Sequence, residues 1–339
     1  MKKILLAVAL CASVLTASES IIGEMSPSPE VEKNMFSFDV GTWYMNWNQT
    51  STSAEMLSDS TQAIDINYNI DSSMAYVLAF KFDYWYLSGG VEYSNNSLGS
   101  GSEESISNLD LGVALLDYIP YLGVELRYVK ADFKGKMSAV DASNTDLTTG
   151  YGSSIFETKV DIFDIVIYPF NDYIGVGYRN YNYEFPQDAY ITRDSDGALL
   201  ANGSGLLDLA YEGYFYTLAV DNKKQVDKLN SYNGFVYSAL LGMGKLTPSA
   251  LVNERTSSSD AAFIDTFLGD SDATFYDILL GYSYKTKDDD GFGYGLTAGY
   301  RYNKIEADAS DSVDNNGYSI KTKFDTEFHG PFINLVVSY

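Results

Sequence analysis

Single basic residues stand inside otherwise apolar, alternating stretches at Lys81, Arg127, Arg179 and Arg301, and single acids do so at Asp83, Asp110, Glu125, Asp208, Glu212 and Asp277. Arg127 follows Tyr121 by six residues, Arg179 follows Tyr173 by six and Lys81 follows Met74 by seven, which predicts a similar depth for all three. Two chemistries are open to such a set. Opposite charges facing each other across water make a transverse field that orients charged or dipolar solutes. The same charges can instead close on one another as salt bridges, because ions in a low-dielectric interior must be paired. Acid–base and metal chemistry are poorly provided for. The chain has one His and one Cys, so a multi-His zinc site, a disulfide framework and a Cys–His pair are excluded by counting. His329 sits in Phe328-His329-Gly330-Pro331 with no Ser two residues on, and is read as a bulge residue. Neither Asp194, Asp196 and Gly197 nor Asp308, Asp311 and Asp314 has the ligand spacing of a calcium loop. No catalytic residue, metal or cofactor is expected.

The elements that must carry these charges show a period of two. Ile64, Ile66, Tyr68 and Ile70 alternate with polar residues, as do Leu122, Val124, Leu126 and Tyr128, and Phe292, Tyr294, Leu296 and Tyr300. Strands are predicted at 35–47, 62–71, 74–94, 105–117, 121–134, 154–168, 173–186, 206–221, 232–244, 273–287, 291–306 and 318–339. Their connections alternate in length. Short ones fall at Asp71–Ser73, Asp117–Pro120, Pro169–Asp172 and Asp288–Asp290, with 222–231 a longer exception; the intervening loops are long and, taken together, acidic. The apolar face of the last segment changes between Phe324 and Ile333, which predicts a bulge near Gly330 and Pro331. Short turns at one end and long loops at the other predict an all-β, antiparallel up-and-down transmembrane barrel of about twelve strands. Charges on its inner face meet water or each other, and those on its outer face meet lipid.

Residues 1–18 carry Lys2 and Lys3, an apolar run from Ile4 to Leu15 and small residues near Ala17, the pattern of a secretory signal peptide. Cys11 falls in its apolar part. Residues 19–34 form a linker on the periplasmic side and 35–339 the barrel. With 46 acidic residues against 22 basic ones, the formal charge is −24, which argues against a nucleic-acid partner.

From residue 35 on, the chain resembles Gram-negative outer-membrane β-barrel proteins of porin-like form. Ile333, Leu335, Val337 and Tyr339 match the alternating apolar ending with a final aromatic that the barrel-assembly machinery reads in such proteins, although Tyr replaces the commoner Phe. Tyr118, Tyr121, Tyr168, Phe170, Tyr173, Phe292 and Tyr294 would form the aromatic girdle near the short turns. The resemblance implies residence in the outer membrane, contact with lipid and lipopolysaccharide, and passive passage of small hydrophilic solutes. Lys81, Asp83, Asp110, Glu125, Arg127, Arg179, Glu212 and Arg301 would then line the constriction. The alternative is a structural or adhesive surface barrel with a filled lumen and working extracellular loops; an outer-membrane enzyme lacks a constellation to support it. The 245–272 loop, the longest, is a candidate for folding inward.

Overall fold

The computed structural model describes residues 36–57, 60–84, 87–96, 105–119, 122–142, 147–150, 155–169, 173–185, 190–193, 199–201, 209–229, 231–250, 270–288, 291–309, 312–313 and 319–339. The signal peptide, the linker, Tyr121, Phe170, Asp194, Asp196, Gly197, Asp208, Asp311, Asp314 and most of the 245–272 loop lie outside these residues. Twelve long strands form the wall: β1 (Phe36–Leu57), β2 (Ser60–Tyr84), β3 (Leu87–Asn95), β4 (Ser105–Ile119), β5 (Leu122–Ala142), β6 (Ile155–Tyr168), β7 (Ile174–Phe185), β8 (Leu209–Asp221), β9 (Tyr232–Ala250), β10 (Ser271–Lys287), β11 (Gly293–Ala309) and β12 (Ser319–Ser338). Each pairs antiparallel with its neighbour in sequence, and β12 pairs with β1 from Ser338↔Ser37 to Ser319↔Met56. That last ladder closes the barrel and removes its edges. A two-residue strand, Ser312–Val313, is appended to β12, and three short strands from the long loops pair in a separate small sheet.

The count of twelve stands, but two of its boundaries move. Residues 60–84 are one strand of 25 residues, and the polar Asp71–Ser73 segment is a bulge within it rather than a turn. The β1–β2 register shifts there by one, from Met45↔Ser73 to Trp47↔Ile70. The turn lies instead between Tyr84 and Leu87, inside the predicted 74–94 strand. In β12 no bulge occurs at Gly330 and Pro331: the β11 register runs unbroken through Tyr300↔Pro331 and Arg301↔Gly330. Pairing to β1 merely lapses between Trp43↔Phe332 and Asn46↔His329, where Pro331 has no N–H to donate. The change of apolar face in β12 has another cause. Phe324, Phe328 and Phe332 all point inward and fill the lumen, while Ile333, Leu335, Val337 and Tyr339 point outward.

The outer surface carries the apolar side chains that alternation places there. Phe36, Phe38, Val40 and Tyr44 are exposed on β1, Met74, Tyr76, Leu78 and Phe80 on β2, and Tyr294, Leu296 and Tyr300 on β11. From Phe36 to Tyr44 is nine residues, within the roughly 9–11 that cross a bilayer in a tilted strand. Tyr44, Tyr76, Tyr93, Tyr128, Tyr178, Tyr214 and Tyr300 stand at the upper border of this band, and Phe36, Phe292, Tyr294 and Tyr339 at the lower. Two aromatic girdles around an apolar belt suit the headgroup levels of a membrane. The fold is that of an outer-membrane β-barrel, with its short turns on the periplasmic side.

Candidate functional site: the charged lumen

The periplasmic floor of the lumen is built by a segment that alternation does not reveal. After β8 the chain turns into a short helix, α1 (Lys223–Lys228), before β9 begins. Asn222 fixes the turn to β9: its side chain accepts from the Tyr237 N–H at 2.7 Å and donates to the Phe235 carbonyl at 3.0 Å. The helix has one apolar residue facing the barrel, Val226, which is buried. Ion pairs supply the rest. Lys81 Nζ lies 2.7 Å from Asp39 and 3.0 Å from Asp227, and Lys223 also pairs with Asp227. Lys224 pairs with Glu125 and donates to the Tyr168 hydroxyl at 2.5 Å, while Lys285 donates to the Val226 carbonyl at 3.0 Å. Burial works to raise the Asp227 carboxyl, but the ammonium groups of Lys223, Lys81 and Lys285 outweigh it and hold the group well below the usual carboxylate range. Burial likewise works to lower Lys224, and Asp221 and Glu125 overcome it and raise the ammonium above its ordinary range.

Above the floor lies a tier of guanidiniums and carboxylates. Arg127 donates to Asp110 at 3.0 and 2.7 Å and to Asp277 at 3.1 Å. Arg179 makes a two-pronged pair with Asp164 at 2.6 and 2.8 Å and reaches the same Asp277 oxygen at 3.4 Å. Arg301 pairs with Glu92 and stacks between Trp43 and Phe332, its guanidinium carbon 5.3 and 5.1 Å from their ring centres. A cavity of about 380 Å³ is lined by both levels, by Lys81, Lys224 and Asp227 of the floor and Arg127, Asp277 and Arg301 of the tier, and reaches Phe133 and Phe328 above.

Higher still, the lumen is filled. Trp47 stacks on Phe133 at 5.6 Å, Phe133 meets Phe328 at 4.8 Å, Tyr211 stacks on Phe324 at 4.5 Å, and Phe215 meets Phe275 edge-on at 4.9 Å. These rings come from β1, β5, β8, β10 and β12, so they bridge the bore. Trp47, Tyr183, Phe215 and Phe275 have no exposed surface. Arg179 joins the two layers, its guanidinium carbon 4.1 Å from the centre of the Phe275 ring.

The sequence-derived residues fall into this plan unevenly. Arg127 and Arg179, matched in depth by their offsets, meet at Asp277, and Asp110 joins them. Arg301 lies in the same tier rather than higher. Lys81 is not at mid-membrane. Because β2 descends, Lys81 and Asp83 stand just above the Tyr84 turn, and Lys81 belongs to the floor with Glu125. Glu212 is not in the lumen. The inward residues of β8 are Tyr211, Phe215, Thr217 and Ala219, so Glu212 faces outward above Tyr214, at the upper border of the apolar band. Both faces of β8 are rich in aromatics, which hides its phase. Tyr168 leaves the girdle for the floor, where it is buried. His329 lies on the outer face of a regular strand, with Nδ1 2.6 Å from the Tyr300 hydroxyl. Asp227, Lys223 and Lys224 were missed; the i, i+4 pair of Lys223 and Asp227 around Val226 was their one signal.

Neither a protein-family model nor a curated protein matches the chain. Solved structures similar to it include the Pseudomonas putida toluene transporter TodX (10% identity, 92% of this chain and 91% of that one, TM-score 0.29). The Escherichia coli outer membrane protease OmpT (8%, 92% and 99%, TM-score 0.27) and a Pseudomonas aeruginosa FadL homologue (8%, 90% and 90%, TM-score 0.30) are similar to the same degree. At such values the fold is read from the chain's own closed strand order. Among the described residues no group of three or more His, Cys, Asp or Glu side chains is placed to hold a metal.

Proposed function

We propose that the protein is a passive conduit for small hydrophilic solutes whose resting form is shut, with α1 as its floor and the ring layer as its roof. The observation that carries this reading is the cavity between them, lined by charges of both signs. A barrel that needed only filling gains little from ions, because hydrophobic residues of similar volume are often as stabilising as a buried salt bridge or more so. A charged hollow suits a solute that pauses in transit. On this reading residues 1–18 direct export, 19–34 are a linker, and the Ile333–Tyr339 ending serves insertion by the assembly machinery beside lipopolysaccharide.

A second reading has its own support. The fully buried rings of Trp47, Tyr183, Phe215 and Phe275 favour a surface barrel whose lumen is plugged and whose loops do the work. Single-channel recording in a planar bilayer separates the two. The mature chain should give rare discrete openings, and a variant with 223–228 replaced by a short Gly-Ser turn should give more. Silence from both, with insertion verified, removes the conduit and leaves the surface barrel.

A further inference from the structure

We propose that the mid-lumen cavity is a binding site for one small organic cation, an ammonium or guanidinium group carried on an apolar body. This names the substrate class of the conduit and rests on that reading. The accessible side chains mark which charges face the hollow. Arg179 and Asp164 are 0% and 2% exposed and serve the wall, whereas Arg127, Asp277 and Asp110, equally deep in the barrel, keep 30%, 27% and 20% of their side-chain surface accessible.

Both levels carry one acid in excess. At the floor, Lys81, Lys223, Lys224 and Lys285 face Asp39, Asp83, Asp221, Glu125 and Asp227, four against five. In the tier above, Arg127, Arg179 and Arg301 face Asp110, Asp164, Asp277 and Glu92, three against four. An extra carboxylate inside a low-dielectric bore is costly and favours a positive guest over a negative one.

The rest of the lining fixes the other half of the ligand. Val129, Phe133, Ile162 and Phe328 form the upper wall, which suits an aromatic or branched aliphatic body. A volume of about 380 Å³ is at the small end of ligand cavities, roughly 300–1,000 Å³, and holds one small molecule.

The test is calorimetric titration of the refolded full barrel in detergent with 2-phenylethylamine and with 3-phenylpropionate, an aromatic body of similar size carrying opposite charge. The amine should occupy one saturable site at least about tenfold more tightly than the acid. Asp277→Asn, which balances the tier while keeping an oxygen to accept from both arginines, should weaken the amine about tenfold or more. Glu212→Gln, on the outer face, should leave it unchanged. Asp110→Asn repeats the test if Asp277→Asn fails to fold. Equal or tighter binding of the acid, no saturable binding of the amine to the folded barrel, or amine affinity unchanged in both Asn variants overturns the proposal. Conductance is scored separately. A silent barrel that binds the amine supports the site and removes the conduit, whereas a conducting barrel with no preference for the amine overturns the site alone.

Discussion

Asp227 is the residue on which the floor depends, and Asp227→Asn is the sharpest perturbation of it. Its carboxylate faces Lys81 at 3.0 Å, Lys285 at 3.9 Å and Lys223 of its own helix, so the substitution leaves three ammonium groups converging on a neutral amide. Removing one partner of a buried pair costs about 3–5 kcal/mol, and because Asp227 keeps about a fifth of its surface (22%) the lower end applies. About 3 kcal/mol corresponds to a rise of about 150-fold in the open fraction of the floor. Trypsin applied to the refolded barrel reads that fraction, since α1 offers Lys223, Lys224 and Lys228, and cleavage follows the open population when reclosing is fast. Cleavage within 222–231 should rise about 100-fold in the variant while the strands stay intact. An unchanged rate, or cleavage that begins in the strands, refutes the latch. The pH response has a definite form. Asp227, depressed below its ordinary 3.8, contributes at every pH above that value and loses its contribution only as pH falls through the lower folded value. Lys224, raised above its ordinary 10.5, contributes at every pH below that value and loses its contribution only as pH climbs through the higher folded one. Cleavage of the wild-type floor, normalised to an unfolded control at each pH, should therefore stay flat from about pH 4 to about pH 7.

Three further outcomes are expected. Arg179→Ala leaves Asp164, 2% exposed, with Arg127 3.9 Å away in place of its two-pronged partner, and should cost about 3 kcal/mol in urea unfolding; the Arg179→Leu, Asp164→Leu pair should recover most of it. Gly242→Ala brings a Cβ within 2.0 Å of the Phe275 ring and should cost about 1–3 kcal/mol, relieved when Phe275→Leu is added, a coupling that a double-mutant cycle measures. Glu212→Leu should change stability by no more than about 0.5 kcal/mol and leave conductance untouched, because the side chain lies outside the bore.

The wall of this barrel is legible in the sequence because lipid enforces alternation, and the outward Ile333, Leu335, Val337 and Tyr339 follow it to the last residue. The strand count survives two offsetting shifts with a common cause. Asp71, Ser72 and Ser73 carry turn chemistry yet form a bulge, while the sequence from Tyr84 to Leu87, where the chain reverses, has no Gly, Pro, Asn or Asp, so composition points to the wrong place. The interior is harder to read. Where the lumen is filled by rings, inward Phe324 and outward Ile333 are equally apolar, and the period of two loses its contrast. Glu212 is assigned to the wrong face for the same reason, since Tyr211 and Phe215 inside match Tyr214 and Tyr216 outside. The floor is invisible to alternation because α1 is held by partners 99 residues away at Glu125 and 59 residues away at Lys285.

The vertical order of these layers bears on why the charges are there at all. If ions served only to fill the bore, balance would matter equally at each level, and the cheapest filling would be the aromatic packing found above. Instead the bore changes from rings to two charged levels, each with one acid in excess, and the hollow is lined by both. Asp277 makes the point in one residue. It receives Arg127 and Arg179 on the same oxygen, while Asp110 and Asp164 each already hold one arginine through two of its nitrogens. A third carboxylate adds little charge stabilisation to two pairs that are two-pronged without it, and Asn keeps an oxygen for both arginines, so Asp277→Asn should leave unfolding in urea nearly unchanged while removing the preference for a cation. A loss comparable to that of Arg179→Ala would instead make Asp277 a member of the wall and return the cavity to mere imperfect packing.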